Sequence, residues 1–360
     1  MVDCPPTPFR YLDKQFVHEK YAAAAANVDG GHRLDSIPIL VPVLDARPNR
    51  PPSTNVLALR QQLENQGHTL VDFSPNEWRD VVSLDISAME HDVNLQQKYF
   101  SACERLCLRT TGASYARAFN FTLRDSRIKG VHTKPSGDNS ARGPVNDVHT
   151  DYTDDSPGVK SIQSLLYDKM QLPKSVRFSL FNVWRSVSSK GPIQTWPLAV
   201  CNADSVNPSD LIARISPENN NVIHNVLPRK SHQWRYYSNM CTHECLVFKQ
   251  YDTEIHLKSR FTPHTAFDLL AANARRGGMS NDGGDVNSVV DENNSVPPRE
   301  SCEVRVLVVY DEQDMHEHFL KRAALKGRGT WRRSEGDDIN TSEVRGGDGG
   351  PQNLTFIFFL

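Results

Sequence analysis

The pattern of apolar and polar positions changes character at about residue 115. Before it the spacing is helical. In "NVLALRQQLEN" (55–65) Val56, Leu59 and Leu63 fall on one side of a helix, and Gly67 follows as a stop before the strand-like run "GHTLVDF". The longest helical pattern is "LQQKYFSACERLCLRTTGA" (95–113). There Tyr99, Ala102, Cys103 and Leu106 stand at i, i+3, i+4 and i+7, and Gly112 lies just past the end. After residue 115 the period shortens to that of strands. Runs of this kind are "YARAFNFTL" (115–123), "VHTDY" (148–152), "VRFSLFNVWRSV" (176–187), "QTWPLAVCNA" (194–203), "HQWRYYSNM" (232–240), "ECLVFKQYD" (244–252), "FTPHTAF" (261–267) and "CEVRVLVVYD" (302–311).

Short strands separated by turn signals, behind a helix-rich front, predict a mainly β (α+β) fold. The expected core is an antiparallel sandwich or jelly-roll barrel over about 115–312, with the N-terminal helices packed on it. Residues 1–54 read as a loosely structured arm ending in the strand "IPILVPVL", and residues 55–330 as a single domain. Two stretches, 274–298 and the tail 331–360, are rich in Gly, Asn and Asp and have no apolar period. They are expected to stay disordered, because they bury too little apolar area to offset the entropy of ordering.

Composition narrows the function classes. The chain is 38% hydrophobic and 23% charged, with a formal charge of −2. No basic surplus marks a nucleic-acid partner. No apolar run is long enough for a membrane helix, and "MVDCPPTPFRYLDKQF" lacks the layout of a secretory signal. The cysteines are odd in number and scattered, which fits reduced thiols and a cytoplasmic location.

Candidate chemistry begins at "DVHTDY". Side chains at i and i+2 of a strand share a face, so His149 and Asp151 are placed to hold one ion. By itself an H-x-D pair also fits a surface histidine beside a capping aspartate. His264, in "RFTPHTAF", is the candidate third ligand; two histidines and one carboxylate form the facial triad of non-haem Fe(II) oxygenases. In "PPRESCEVRVLVVYD", Arg299 and Ser301 share a face at the mouth of an apolar strand. A guanidinium with a neighbouring hydroxyl suits a carboxylate. Arg305 lies on the same face and is the alternative anchor. Pairing with Glu300 or Glu303 would make either arginine structural.

Further candidates line up around these. Tyr152 adjoins Asp151. In "FNVWRSV", Asn182 and Arg185 fall on opposite faces of one strand, so a regular strand can offer only one of them to a pocket. Tyr236 and Tyr237 are likewise split between faces; Tyr236 is kept as a pocket candidate. "CTHEC" (241–245) lacks the four-ligand spacing of structural zinc, and a buried strand explains its end better. His316 and His318 fit a solvated helical face.

The ordered series "VHTDYT", "FNVWRSV", "WPLAVCNADSV", "YYSNM", "ECLVFKQYDT", "RFTPHTAF" and "PRESCEVR", with "TTGASYARAFNFTLRDS" ahead of it, resembles the Fe(II)/2-oxoglutarate oxygenases. More narrowly it is similar to a fungal hydroxylase/desaturase family that includes relatives of gibberellin desaturases and cephem methoxylase subunits. The resemblance spans roughly residues 55–312. It implies a double-stranded β-helix, Fe(II) on His149, Asp151 and His264, and 2-oxoglutarate held by Arg299 and Ser301. Dioxygen and a small-molecule metabolite, of the fungal secondary kind, would complete the reaction. The chain departs from the family in the long Gly/Asn-rich link between His264 and Arg299, which costs little because loop-closure entropy grows slowly with length. The resemblance leaves open a homo-oligomer or a partner protein, and a non-catalytic binding or partner subunit of the same fold.

Overall fold

A computed structural model describes residues 3–12, 36–82, 84–129, 140–170, 172–215, 221–270, 272, 296–310 and 330–331. Most of the predicted insert 274–298, the tail after residue 331, and His316 and His318 lie outside them.

Fourteen strands form two sheets among the described residues. In chain order they are β1 (Asp3–Leu12), β2 (Ser36–Asp45), β3 (His68–Asp72), β4 (Tyr115–Asp125), β5 (His149–Thr150), β6 (Arg177–Ser186), β7 (Leu198–Cys201), β8 (Leu211–Ile215), β9 (Val222–Val226), β10 (Trp234–Tyr236), β11 (Glu244–Asp252), β12 (His264–Ala266), β13 (Glu300–Tyr310) and β14 (Thr330–Trp331). The six-stranded sheet runs β14-β4-β13-β6-β11-β3, and the eight-stranded sheet β1-β2-β10-β7-β12-β5-β9-β8. Pairing is antiparallel except between β2 and β10. The fold is β-rich, with a small helical layer.

That layer covers one face of the six-stranded sheet. Helix Val93–Thr111 starts with Asp92 accepting a hydrogen bond from the Leu95 amide, and ends at Gly112, whose φ of 77° needs a residue without Cβ. Its predicted stripe, Tyr99, Ala102, Cys103 and Leu106, is fully buried. It packs with Leu59 and Leu63 of helix Val56–Gln66 against Phe181, Val183, Val247, Val304 and Val306 of the sheet. Each such side chain contributes about 2 kcal/mol on leaving water. The opposite face meets the second sheet: Leu70, Trp184, Leu246 and Phe248 pack on Leu198, Val200 and Tyr237. Alternation along each strand separates the layers. Cys302, Val304, Val306 and Val308 face the helices; Ser301, Glu303, Arg305 and Leu307 face the interior between the sheets.

Two runs read as long strands are shorter than expected. Trp196 and Asn239 both have φ of 48°, which ends the extended conformation inside "QTWPLAVCNA" and "HQWRYYSNM". β8 and β9 have weak apolar alternation and were not expected from the pattern.

Candidate metal centre

β12 and β5 pair so that His264 lies directly opposite His149, with ring centroids 4.4 Å apart. β5 has only two residues, so Asp151 does not sit on the same strand face as expected; it occupies a bend just past the strand. Polar contacts hold that bend. The Asp151 amide donates to Gln250 Oε1 at 3.0 Å, and Asn221 Nδ2 donates to the Asp151 carbonyl at 3.0 Å. The carboxylate thereby reaches the two imidazoles. Its Oδ1 lies 3.5 Å from His149 Nε2 and 3.7 Å from His264 Nε2.

The donor set fits a metal ion. His149 Nδ1 donates to the Asp147 carbonyl at 2.8 Å and His264 Nδ1 to the Thr262 carbonyl at 3.2 Å, which leaves each Nε2 lone pair toward the shared centre. Asp151 Oδ2 is occupied from the other side, by Asn182 Nδ2 at 2.9 Å and Arg305 Nη2 at 3.3 Å. Oδ1 is left for the ion. Burial raises the cost of charging Asp151, but Arg305 and the two histidines outweigh it and hold its carboxyl well below the usual range. Burial, with the neighbouring His149, pushes His264 down to about 3, so it is neutral and able to ligate. Burial opposes the charging of His149, yet its contact with Asp151 leaves its pKa raised.

Arg299 and Ser301 meet nearby. Arg299 is buried; its Nε donates to Ser301 Oγ at 3.0 Å, its Nη1 to the Trp196 carbonyl at 2.7 Å, and its guanidinium lies over Trp184. The positive φ of Trp196 is part of the turn that presents this carbonyl. Arg299 has no carboxylate partner among the described residues. Burial, then the charge of Arg124, lowers its pKa to about 9. The alternative anchor Arg305 is engaged elsewhere: it bonds Asp151, bonds Asn120 Oδ1 at 3.3 Å, and stands 3.7 Å from Glu303. Its guanidinium already has carboxylates beside it, although its Nε is buried without a partner among the described residues.

Two pocket candidates face the other way. Arg185 is on the helix side of β6, over the rings of Phe73, Trp78 and Tyr99, donating to the carbonyls of Thr242 and Val81. The strand has room for one polar residue toward the interior, and that residue is Asn182. Tyr236 packs edge-on against Phe267, on the face of the eight-stranded sheet turned from the site, while Tyr237 is the interior residue, beside His68. Tyr152 is buried next to Asp151 among Val159, Leu180 and Leu307. Gln250 and Asn221, which hold the Asp151 backbone, were missed. The only sequence signal for Gln250 was a lone amide in the buried strand "ECLVFKQYD".

A second cluster, Asp72, His243 and Glu244, brings ligand-type atoms together. Its carboxylates are already spent: Arg47 grips both Glu244 oxygens at 2.7 and 2.9 Å, and Arg50 bonds Asp72 at 3.2 Å. It is an ion-pair network.

Two imidazoles from paired strands and one carboxylate oxygen from the bend after one of them converge, a donor set that could hold a metal ion and that matches the facial triad of non-haem oxygenases. Comparisons carry this to a family. Residues 52–278 match the family described as "Oxidoreductase/YMDC permease-like domain". The hydroxylase/desaturase efuI of Hormonema carpetanum is 30% identical over 241 residues, covering 61% of this chain and 72% of efuI. The Fe(II)/2-oxoglutarate-dependent dioxygenase nvfI of Aspergillus novofumigatus is 27% identical over 273 residues, covering 73% of this chain and 81% of nvfI. Among solved structures, the iron and alpha-ketoglutarate-dependent endoperoxidase NvfI shares the fold, with a TM-score of 0.55 at 22% identity over 86% of this chain and 99% of its own. The chain belongs to the fungal family of Fe(II)/2-oxoglutarate-dependent hydroxylase/desaturases that these relatives represent.

Proposed function

We propose that the protein oxidises a small fungal secondary metabolite by hydroxylation or desaturation, on a double-stranded β-helix spanning about residues 115–312 within a single domain of residues 55–330. In this reading His149, Asp151 and His264 hold Fe(II), and Arg299 with Ser301 receives the distal carboxylate of 2-oxoglutarate. The sheet order β4-β13-β6-β11 facing β10-β7-β12-β5 supports the scaffold. The observation that carries the site is the division of labour at Asp151: one oxygen faces both Nε2 atoms and the other is tied by Asn182 and Arg305.

Fe(II) and 2-oxoglutarate together supply the dioxygen chemistry, with succinate and carbon dioxide as by-products. The chain's own residues do the rest. The triad residues and their hydrogen-bond partners fix the ligand geometry before anything binds. Arg299 supplies a desolvated charge for an anion. Tyr152 Oη, Asn182 Oδ1 and Gln250 Nε2 are buried without a partner among the described residues, so the interior beside Asp151 suits a molecule with polar groups as well as apolar surface. The apolar walls from β7 and β11 exclude water. A cytoplasmic site of action agrees with the unpaired buried thiols. No helix among the described residues is long and apolar enough to cross a membrane. The alternative of a non-catalytic partner subunit has no observation in its favour.

The test is to supply Fe(II), 2-oxoglutarate and extracts of candidate metabolites, and to follow succinate with product by mass spectrometry. Product gaining one oxygen or losing two hydrogens, matched by succinate, supports the reading. Turnover without 2-oxoglutarate rejects it.

A further inference from the structure

Arg124 was not among the candidate residues. It ends the interior row of β4, and its Cα partner on β13 is Ser301. Directly opposed residues of an antiparallel pair project from the same face, so Arg124 shares the interior face with Ser301 and Arg299. Its neighbour Leu123 packs under the helices, as the alternation requires.

The half-buried guanidinium of Arg124 donates to the Gly143 carbonyl at 2.9 Å, as Arg299 donates to the Trp196 carbonyl. Neither has a carboxylate at ion-pair distance among the described residues. Arg305, Arg177 and Arg47 do, with Asp151, Asp252 and Glu244, whereas Arg185 lacks one on the helix side of the sheet. Arg124 lies close enough to act, after burial, against the charge of Arg299; burial, Arg142 and Arg305 act against that of Arg124, with Glu303 and Asp151 opposing them. Two guanidiniums on one sheet face, on either side of a hydroxyl and without an ion-pair partner, suit an anion between them. From this placement we propose that Arg124 is a second guanidinium for the distal carboxylate of the 2-oxo acid co-substrate, acting beside Arg299 and Ser301.

The inference rests on the co-substrate reading given above. It makes the site selective for dicarboxylic 2-oxo acids, because a co-substrate with a neutral far end would leave both guanidiniums uncompensated. Glu303, opposite Thr122, raises the pKa of Arg124 without touching it. It is the competing counter-charge.

The experiment measures binding by calorimetry to the Mn(II)-loaded protein, with 2-oxoglutarate and with 2-oxopentanoate, which lacks the distal carboxylate. Arg124→Gln weakens 2-oxoglutarate by about 10- to 100-fold, the range for a hydrogen bond to a charged group, and leaves 2-oxopentanoate within about twofold. Arg124→Lys keeps the charge but not the planar fork and falls between. If the Gln variant does not fold, the Lys variant carries the same comparison. Equal losses for both acids, or no loss for 2-oxoglutarate, overturn the proposal and return Arg124 to a structural role beside Glu303. A wild-type protein that binds Mn(II) but neither acid would instead reject the co-substrate reading itself.

Discussion

Arg185, on β6, and Arg299, just before the neighbouring β13, are both buried, and they have opposite surroundings. Arg185 points at the helices. Its guanidinium lies over three aromatic rings and donates to two backbone carbonyls, while its Nε is buried among those rings without a hydrogen-bond partner among the described residues. Arg299 points at the second sheet. It has one ring, one carbonyl and one hydroxyl, and no anion among the described residues. The strands that carry them alternate in the same way: valines and cysteines toward the helices, and Arg299, Ser301, Glu303 and Arg305 toward the interior. One face of the sheet is a packed apolar core, and the other adds to its apolar contacts with the second sheet a row of polar and charged residues. That row is where the proposed ligands bind, and loss of a residue should therefore read out as stability on one face and as binding on the other.

The largest effect is expected at the triad. His149→Ala removes a ligand from the interior face without opening the helical core. Succinate formation should fall at least about 1000-fold, since the metal supplies several kcal/mol of the chemistry, while the melting temperature changes little. Normal turnover in this variant would remove His149 from the metal centre.

Exchanging the two arginines tests the contrast itself. Arg299→Gln should raise the 2-oxoglutarate KM by roughly 100-fold and leave urea stability near wild type. Arg185→Met should do the reverse. It leaves the half-buried Thr242 carbonyl without its donor and the Val81 carbonyl with only the Leu84 amide, and costs about 2–4 kcal/mol with the lost ring contacts, with KM unaltered. Should Arg185→Met change KM and Arg299→Gln only stability, the two faces have been assigned the wrong way round.

Between these lies the support of Asp151. Asn182→Ala frees Oδ2 on one side and should weaken Mn(II) affinity by about 10- to 100-fold, as loss of a hydrogen bond to a metal ligand does. An unchanged affinity would mean that Arg305 alone orients the carboxylate.

Much of this division was legible in the chain. The stripe of helix Val93–Thr111 and its Gly112 stop follow from spacing alone. So does the alternation of β13 that puts Ser301 and Arg305 on one face, with Arg299 bonded to Ser301 just ahead of the strand. What sequence could not supply was sidedness. A two-residue period states that Asn182 and Arg185 part company, but only the second sheet and the helices decide which is inside. The same holds for Tyr236 and Tyr237. The pairing of Asp151 with His149 was expected from a regular strand, whereas it arises from a bend that Gln250 and Asn221 fix from distant segments. Arg124 was overlooked because its significance comes from the residue across the strand.

The smallest effect concerns a histidine that lies between the sheets and serves structure. His68 Nε2 donates to Asn202 Oδ1 at 3.0 Å, and its ring meets Tyr237 edge-on. Burial pushes its pKa from 6.5 down to about 4, with Arg235 adding to the shift and the Asn202 bond opposing it. In the unfolded chain the imidazole takes up a proton near pH 6.5; in the folded protein it does not until near pH 4. Between those values the unfolded state binds more protons, so stability rises with pH and is lost on acidification. From pH 6.5 to 5.5 the His68 contribution to that loss is about 1 kcal/mol. His68→Gln keeps an amide donor and removes the titration. Its unfolding free energy from urea titration should decline less than that of wild type over this interval, by about that amount. Identical pH dependence of the two proteins would mean that His68 is charged, or solvated, in the folded state, and that the space between the sheets at this end is as wet as the metal site is expected to be before it fills.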